Sequence, residues 1–107
     1  MREKPEKDIQ LKIEAMLRSK EWFVKRTHGN AFSDGWPDIF ASHYRYGMRW
    51  IEVKLPGMKG SVFTAAQLRT FPQMDANGAK IWILTAATEH EYQKLFGASN
   101  LLEYLIA

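Results

Sequence analysis

The stretch from residue 37 to residue 54 constrains the fold most strongly, because it has the pattern of two β-strands joined by a turn. Residues 38–41 and 48–54 are short, apolar and β-prone. The tyrosine-rich segment around Arg45-Tyr46-Gly47 between them is typical of a tight turn. The sequence therefore predicts a β-hairpin.

The second strand of this hairpin carries a carboxylate and an ammonium group on one face. Side chains alternate along a strand, so Glu52 and Lys54 share one face while Ile51 and Val53 share the other. Asp38 begins the neighbouring strand, with thirteen residues between it and Glu52. Adjacent strands lie about 4.8 Å apart, a spacing that suits two carboxylates sharing one divalent metal ion. The pattern therefore predicts a phosphodiesterase site in which Lys54 orients or helps to deprotonate the attacking water.

Hydrophobic periodicity predicts the elements on either side of the hairpin. Apolar residues recur at helical spacing before it and again after it, and a strongly β-prone run follows the second helix. This order, α-β-β-β-α-β-α, predicts an α/β fold with a small mixed sheet flanked by helices. The predicted elements are a helix over 6–20, a strand over 22–27, loops at 28–37 and 55–60, a helix over 64–76 with Thr64 as its N-cap, a strand over 80–85, and helical segments over 88–96 and 101–106.

Composition limits the classes of protein to which this chain can belong. With 107 residues, we expect one domain spanning residues 1–107. The chain has no cysteine and no apolar run near the roughly 18 residues of a membrane span. We therefore expect an intracellular, cytoplasmic protein without a membrane anchor, and the net charge of +3 favours polyanionic partners without identifying one.

Three fragments carry a resemblance to a known family. GWPDIF is followed by WIEVKLPG and then by TAAQLRTF, in which Gln67 stands thirteen residues after Lys54. Together they resemble the VRR-NUC family of PD-(D/E)xK nucleases, in particular its short stand-alone members of viral type. The resemblance implies a restriction-endonuclease-like core with Asp38 and Glu52 as metal ligands, the Val53 carbonyl as a further ligand, Lys54 as the catalytic lysine and Gln67 as a supporting residue of the active site.

A carboxylate from the first helix belongs to the same resemblance. Glu6-Lys7-Asp8-Ile9-Gln10 is similar to the ExxIQ pattern of this family, which makes Glu6 the candidate. Glu14 is the alternative, and either residue could equally be a solvated acid on an amphipathic helix. The identity of this carboxylate therefore stays open at the level of sequence.

The resemblance also implies a substrate, a cofactor and an assembly. We expect an endonuclease that requires Mg²⁺ or Mn²⁺, forms a homodimer and cleaves branched DNA such as Holliday junctions. Two alternatives remain, namely a less selective or flap endonuclease, and a basic DNA-binding subunit whose carboxylates are structural. The residues expected to contact DNA are Lys25, Arg26, His28, Trp36, Lys59 and Arg69.

Overall fold

The computed structural model of this protein describes residues 4–27, 35–58 and 62–105. The elements follow the predicted order. The helical tail consists of two short α-helices, with a 3₁₀ turn at Lys94–Phe96 between them. No helix within these ranges is long and apolar enough to cross a bilayer. The helices are α1 (Lys4–Ser19), α2 (Ala65–Ala76), α3 (Glu89–Gln93) and α4 (Leu101–Leu105), and the strands are β1 (Phe23–Arg26), β2 (Ile39–His43), β3 (Gly47–Val53) and β4 (Ile81–Leu84).

The four strands form one mixed sheet in the order β1-β2-β3-β4. The β1–β2 and β2–β3 pairs are antiparallel, whereas β3 and β4 run parallel. The predicted hairpin is β2–β3, with Ile39 opposite Ile51 and a turn that brings the chain back at Gly47. Because β2 and β3 are the two central strands, the segments that carry Asp38 and Glu52 lie side by side in the middle of the sheet.

Alternation of side chains along the strands divides the core into two clusters, one on each side of the sheet. On one side, Ile51 and Val53 pack with Ile13 and Leu17 of α1. On the other side, Phe71 of α2 packs against a second set of buried residues. The second cluster consists of Phe71, Ile81, Ile83 and Leu101.

Helix α2 forms the crossover between the parallel strands β3 and β4, a connection that parallel pairing requires. Thr64 is its N-cap, as the sequence predicts. The helix continues through Pro72 to Ala76 without interruption. Beyond its end, Gly78 has a φ of 90°, a left-handed conformation that favours glycine and turns the chain into β4.

Candidate active site

Asp38 and Glu52 hold each other in place between the two central strands. The backbone amide of Asp38 donates to Glu52 Oε1 at 3.1 Å, and the backbone amide of Val53 donates to Asp38 Oδ2 at 2.8 Å. Both side chains are almost fully buried, with 0% and 1% of their surface exposed. Each carboxylate is therefore fixed by a backbone group of the other residue's strand rather than by solvent.

The strand β1 extends this arrangement on the other side of Asp38. Arg26 is the register partner of Ile39, and the amide of Thr27 donates to the carbonyl of Asp38 at 3.0 Å. The Thr27 hydroxyl also donates to the carbonyl of Pro37. The backbone that precedes Asp38 is thus bonded to a neighbouring strand, which restricts the position of the carboxylate.

Lys54 follows β3 directly and is buried beside Glu52. Its Nζ lies 3.1 Å from Glu52 Oε2 and donates to the carbonyl of Val62 at 3.0 Å. The same nitrogen is 4.6 Å from the centre of the Phe63 ring, a cation–π contact. Only 3% of the Lys54 side chain is exposed, so its ammonium group is held at the site instead of extending into solvent.

Gln67 reaches the same carboxylate from the first turn of α2. Its Nε2 donates to Glu52 Oε2 at 2.9 Å, and its Oε1 lies 3.5 Å from Lys54 Nζ. The structure therefore brings together four of the residues that the sequence indicated, namely Asp38, Glu52, Lys54 and Gln67.

The electrostatics of the pair favour a cation. Burial, followed by the negative charge of Asp38, raises the pKa of Glu52 to about 8, although Lys54 and Gln67 act in the opposite direction. The positive charge of Lys54 offsets part of the repulsion between these two adjacent buried carboxylates. A divalent ion between them would remove that repulsion, and the donor chemistry of the site fits such an ion.

The ligands available to a metal ion are few and are all oxygen atoms. In residues 4–27, 35–58 and 62–105, no group of three or more His, Cys, Asp or Glu side chains could hold a metal. The sequence indicates two carboxylates here, from Asp38 and Glu52, and the family resemblance implies the backbone carbonyl of Val53 as a further ligand. Magnesium tolerates so small a set because it retains water molecules and accepts phosphate oxygens as ligands.

The two candidate carboxylates of α1, Glu6 and Glu14, occupy different environments. Glu14 is 1% exposed and accepts two hydrogen bonds from Arg26, at 3.0 and 2.7 Å, and one from Gln10 at 2.9 Å. Burial acts to raise the pKa of Glu14, but these bonds outweigh it and leave the pKa lowered. Glu14 lies on the side of the sheet covered by α1, whereas Glu52 meets Gln67 on the side covered by α2. Glu6 lies in the first turn of α1 and is 9% exposed.

The residues expected to contact DNA differ in their exposure and in their partners. Lys25 and Arg69 are exposed, and Arg26 is engaged by Glu14. Trp36 is 42% exposed, and its ring meets the ring of Trp50 edge-on at 5.2 Å. His28 and Lys59 lie outside the described residues.

Two features of the site were not predicted from the sequence. Gln67 accepts a hydrogen bond from the amide of Thr64, which completes a capping box; the spacing T-x-x-Q before an apolar run is the sequence signal for it. Gly35 has a φ of 85°, and a Cβ atom there would lie 3.0 to 3.2 Å from atoms of Thr70 and Ala66 in α2. No local pattern in the sequence indicates that close approach.

Comparison with known proteins addresses the fold. No protein-family model and no curated protein matches the sequence. A solved structure described as a VRR_NUC domain matches with a TM-score of 0.63 over 94% of this chain and 96% of the other, at 17% sequence identity. The resemblance drawn from GWPDIF, EVKLPG and Gln67 is thus confirmed at the level of the fold. This chain therefore has the fold of a VRR_NUC domain, with Asp38 and Glu52 between its two central strands.

Proposed function

We propose that this protein is an endodeoxyribonuclease that requires Mg²⁺ or Mn²⁺, acts as a homodimer and hydrolyses phosphodiester bonds in branched DNA. The observation that carries the proposal is the buried Asp38–Glu52 pair, with Lys54 Nζ 3.1 Å from Glu52 and Gln67 Nε2 2.9 Å from it. Paired carboxylates beside a buried lysine on a nuclease-type fold support metal-assisted phosphodiester hydrolysis.

The chain's own residues have distinct roles in this reaction. Asp38, Glu52 and the Val53 carbonyl would hold the metal ion, which supplies charge stabilisation and lowers the pKa of a bound water. Lys54 is positioned to orient the attacking water and to neutralise charge on the scissile phosphate. Water adds to phosphorus, one P–O bond to deoxyribose breaks, and the leaving oxygen takes up a proton. Gln67 keeps the Glu52 carboxylate in place.

Branched DNA is the substrate that best fits a small domain acting as a pair. One such domain covers little duplex DNA, whereas two sites related by a two-fold axis match the two equivalent strands of a four-way junction. The positive net charge supports a polyanionic substrate, and exposed cations such as Lys25 and Arg69 can contact phosphates.

Cleavage of a four-way junction, compared with linear, flap and single-stranded DNA of the same sequence, tests the function. We expect junction cleavage in Mg²⁺ or Mn²⁺, loss of cleavage in excess chelator and little restoration by Ca²⁺, whose larger and looser coordination shell positions water poorly. Asp38→Asn should lower the rate by about 10²–10³-fold while DNA binding persists, because one charge-stabilising group is lost.

Other outcomes identify the alternatives. Equal cleavage of all DNA forms, or preference for a flap, indicates a less selective or flap endonuclease. Binding of DNA by the unmodified protein without cleavage in any divalent metal indicates a non-catalytic subunit. Full activity in excess chelator would refute the metal-dependent reaction.

A further inference from the structure

The first turn of α2 is joined to the candidate active site by a continuous set of hydrogen bonds. The Thr64 hydroxyl accepts from the amide of Gln67 at 3.1 Å, and Gln67 Oε1 accepts from the amide of Thr64 at 3.0 Å. The Gln67 side chain then donates to Glu52 Oε2 at 2.9 Å. Gln67 therefore completes the helix cap with the oxygen of its side-chain amide and contacts Glu52 with the nitrogen.

This arrangement determines which way the Gln67 amide faces. A backbone N–H can only donate, so the oxygen of the Gln67 amide must face Thr64. The nitrogen then faces Glu52 Oε2, which accepts its hydrogen bond at 2.9 Å. Rotating the amide by half a turn would put oxygen against carboxylate and nitrogen against N–H, and both hydrogen bonds would be lost.

Lys54 is tied to the same turn of the helix. Its ammonium donates to the carbonyl of Val62, two residues before the N-cap, and lies 3.5 Å from Gln67 Oε1. Glu52 Oε2 therefore contacts both the Lys54 ammonium and the Gln67 amide. The segment that leads into α2 positions both of these groups. A shift of this turn would move both donors.

We propose that Thr64 is a positioning residue: its capping hydroxyl keeps the first turn of α2, and hence the Gln67 amide, in the place where it orients Glu52. The catalytic consequence rests on the proposed function. The Thr64 side chain is exposed, so its contribution is the hydrogen bond and not packing in the core. Removing an outer partner that orients a metal-binding group commonly costs about 10–100-fold in affinity or activity.

The chain contains a matched control. Thr88 is the N-cap of α3 and accepts from the amide of Glu91 at 3.2 Å, the same cap chemistry as Thr64. Helix α3 contributes Tyr92 to the core cluster on the α1 side of the sheet, away from Glu52. Thr64→Val and Thr88→Val should each lower the stability of the protein by a similar amount, because each removes the side-chain acceptor of an N-cap. Only the first variant changes the site.

Steady-state cleavage separates positioning from stability. We expect Thr64→Val to lower kcat about 10-fold with KM nearly unchanged, and Thr64→Ser to restore kcat because it restores the acceptor. Thr88→Val should keep the kcat of the unmodified protein. The inference is overturned if Thr64→Val retains full kcat, or if Thr88→Val lowers kcat by the same factor.

A second measurement does not depend on cleavage. In the metal-free protein, the Gln67 side-chain amide protons, observed by NMR, should exchange with water about 10-fold faster in Thr64→Val than in Thr88→Val. Equal exchange in the two variants would contradict the positioning role. If the unmodified protein cleaves no DNA, the proposed function fails, while this exchange experiment still decides the role of Thr64.

Discussion

At the scale of single residues, Gly35 shows how one position can control the approach to the site. Its φ of 85° is left-handed, and a Cβ atom would lie 3.0 Å from Thr70 Oγ1 and 3.1 Å from Ala66 Cβ. The segment Trp36-Pro37 leads from there directly to Asp38. The close contact between this backbone and α2 therefore helps to determine where the Asp38 carboxylate lies.

Gly35→Ala should destabilise the protein and also lower cleavage. Gly78→Ala is the control, because Gly78 has a φ of 90° and a Cβ atom added there would meet nothing within 4 Å among the described residues beyond its chain neighbours. Both variants incur the left-handed penalty of about 1–2 kcal/mol, but only Gly35→Ala also pushes the backbone away from α2. Denaturant unfolding and junction cleavage measure the two effects. Equal losses of activity in the two variants would show that the contact with α2 does not position Asp38.

At the scale of elements, a half-buried ion pair joins α1 to β1. Both carboxylate oxygens of Glu14 accept from the Arg26 guanidinium, and Gln10, one helical turn earlier, donates to the same group. The carboxylate of Glu14 is 1% exposed and the side chain of Arg26 is 45% exposed. This pair gives α1 a fixed position along the sheet that the apolar contacts of Ile13 and Leu17 do not specify alone.

The contribution of this pair to stability should depend on pH. The pKa of Glu14 lies below its ordinary value of 4.5 in the folded protein, so the stabilisation is complete above pH 4.5 and is lost as the pH falls through the lowered pKa. We expect Glu14→Gln to lower the free energy of unfolding by about 1–2 kcal/mol at pH 7. The loss is no larger because Arg26 is partly solvated. The difference in the free energy of unfolding between this variant and the unmodified protein should become progressively smaller below pH 4.5.

Urea unfolding at pH 7 and at decreasing pH measures this difference. Glu89→Gln is the control, because Glu89 also has a lowered pKa, through bonds with Gln93 and Lys20, but is exposed. Glu89→Gln should show no measurable loss in the free energy of unfolding at any of these pH values, because ion pairs of exposed groups contribute little to stability. If the difference in unfolding free energy between Glu14→Gln and the unmodified protein grows as the pH falls, the Glu14–Arg26 pair does not stabilise the fold in this way.

At the scale of the whole molecule, the two sides of the sheet are covered unequally. Helices α1 and α3 pack on one side, whereas α2 and α4 pack on the other side near β4. Phe23 of β1 and Met48 of β3 are register partners of the same residue, Ser42, and are 62% and 67% exposed. On this open sheet face, defined by Phe23, Ser42 and Met48, the two exposed side chains are apolar, and aromatic residues and methionine are enriched where subunits meet.

In the proposed homodimer, we expect the open sheet face to be buried between the two subunits. Met48→Arg should convert the dimer to a monomer in sedimentation measurements, because it would place two like charges in an apolar interface. Leu102→Arg changes another exposed apolar residue, 56% exposed on α4, and should leave the dimer intact. A dimer that survives Met48→Arg would contradict this surface. If the unmodified protein is a monomer and Met48→Arg weakens its binding to DNA, the open sheet face binds DNA instead.

Local patterns account for what the sequence predicted correctly. Strand alternation identified the β2–β3 hairpin and separated Ile51 and Val53 from Glu52, and apolar spacing identified α1 and α2. The Thr64 cap was also predictable, since capping depends on neighbouring residues. In the same way, the short fragments around Asp38, Glu52 and Gln67 were sufficient to indicate the fold that the structural comparison confirms.

By itself, the sequence determined which residues share a strand face, where helices begin, and which carboxylates stand on adjoining strands, because these properties repeat over a few residues. Only the tertiary structure decided that β4 lies parallel beside β3, that the first turn of α2 delivers the Gln67 amide to Glu52, and that Glu14 is held by Arg26. Those contacts join segments that are distant in the chain. Their geometry depends on how the helices pack on the sheet, and no local periodicity encodes it.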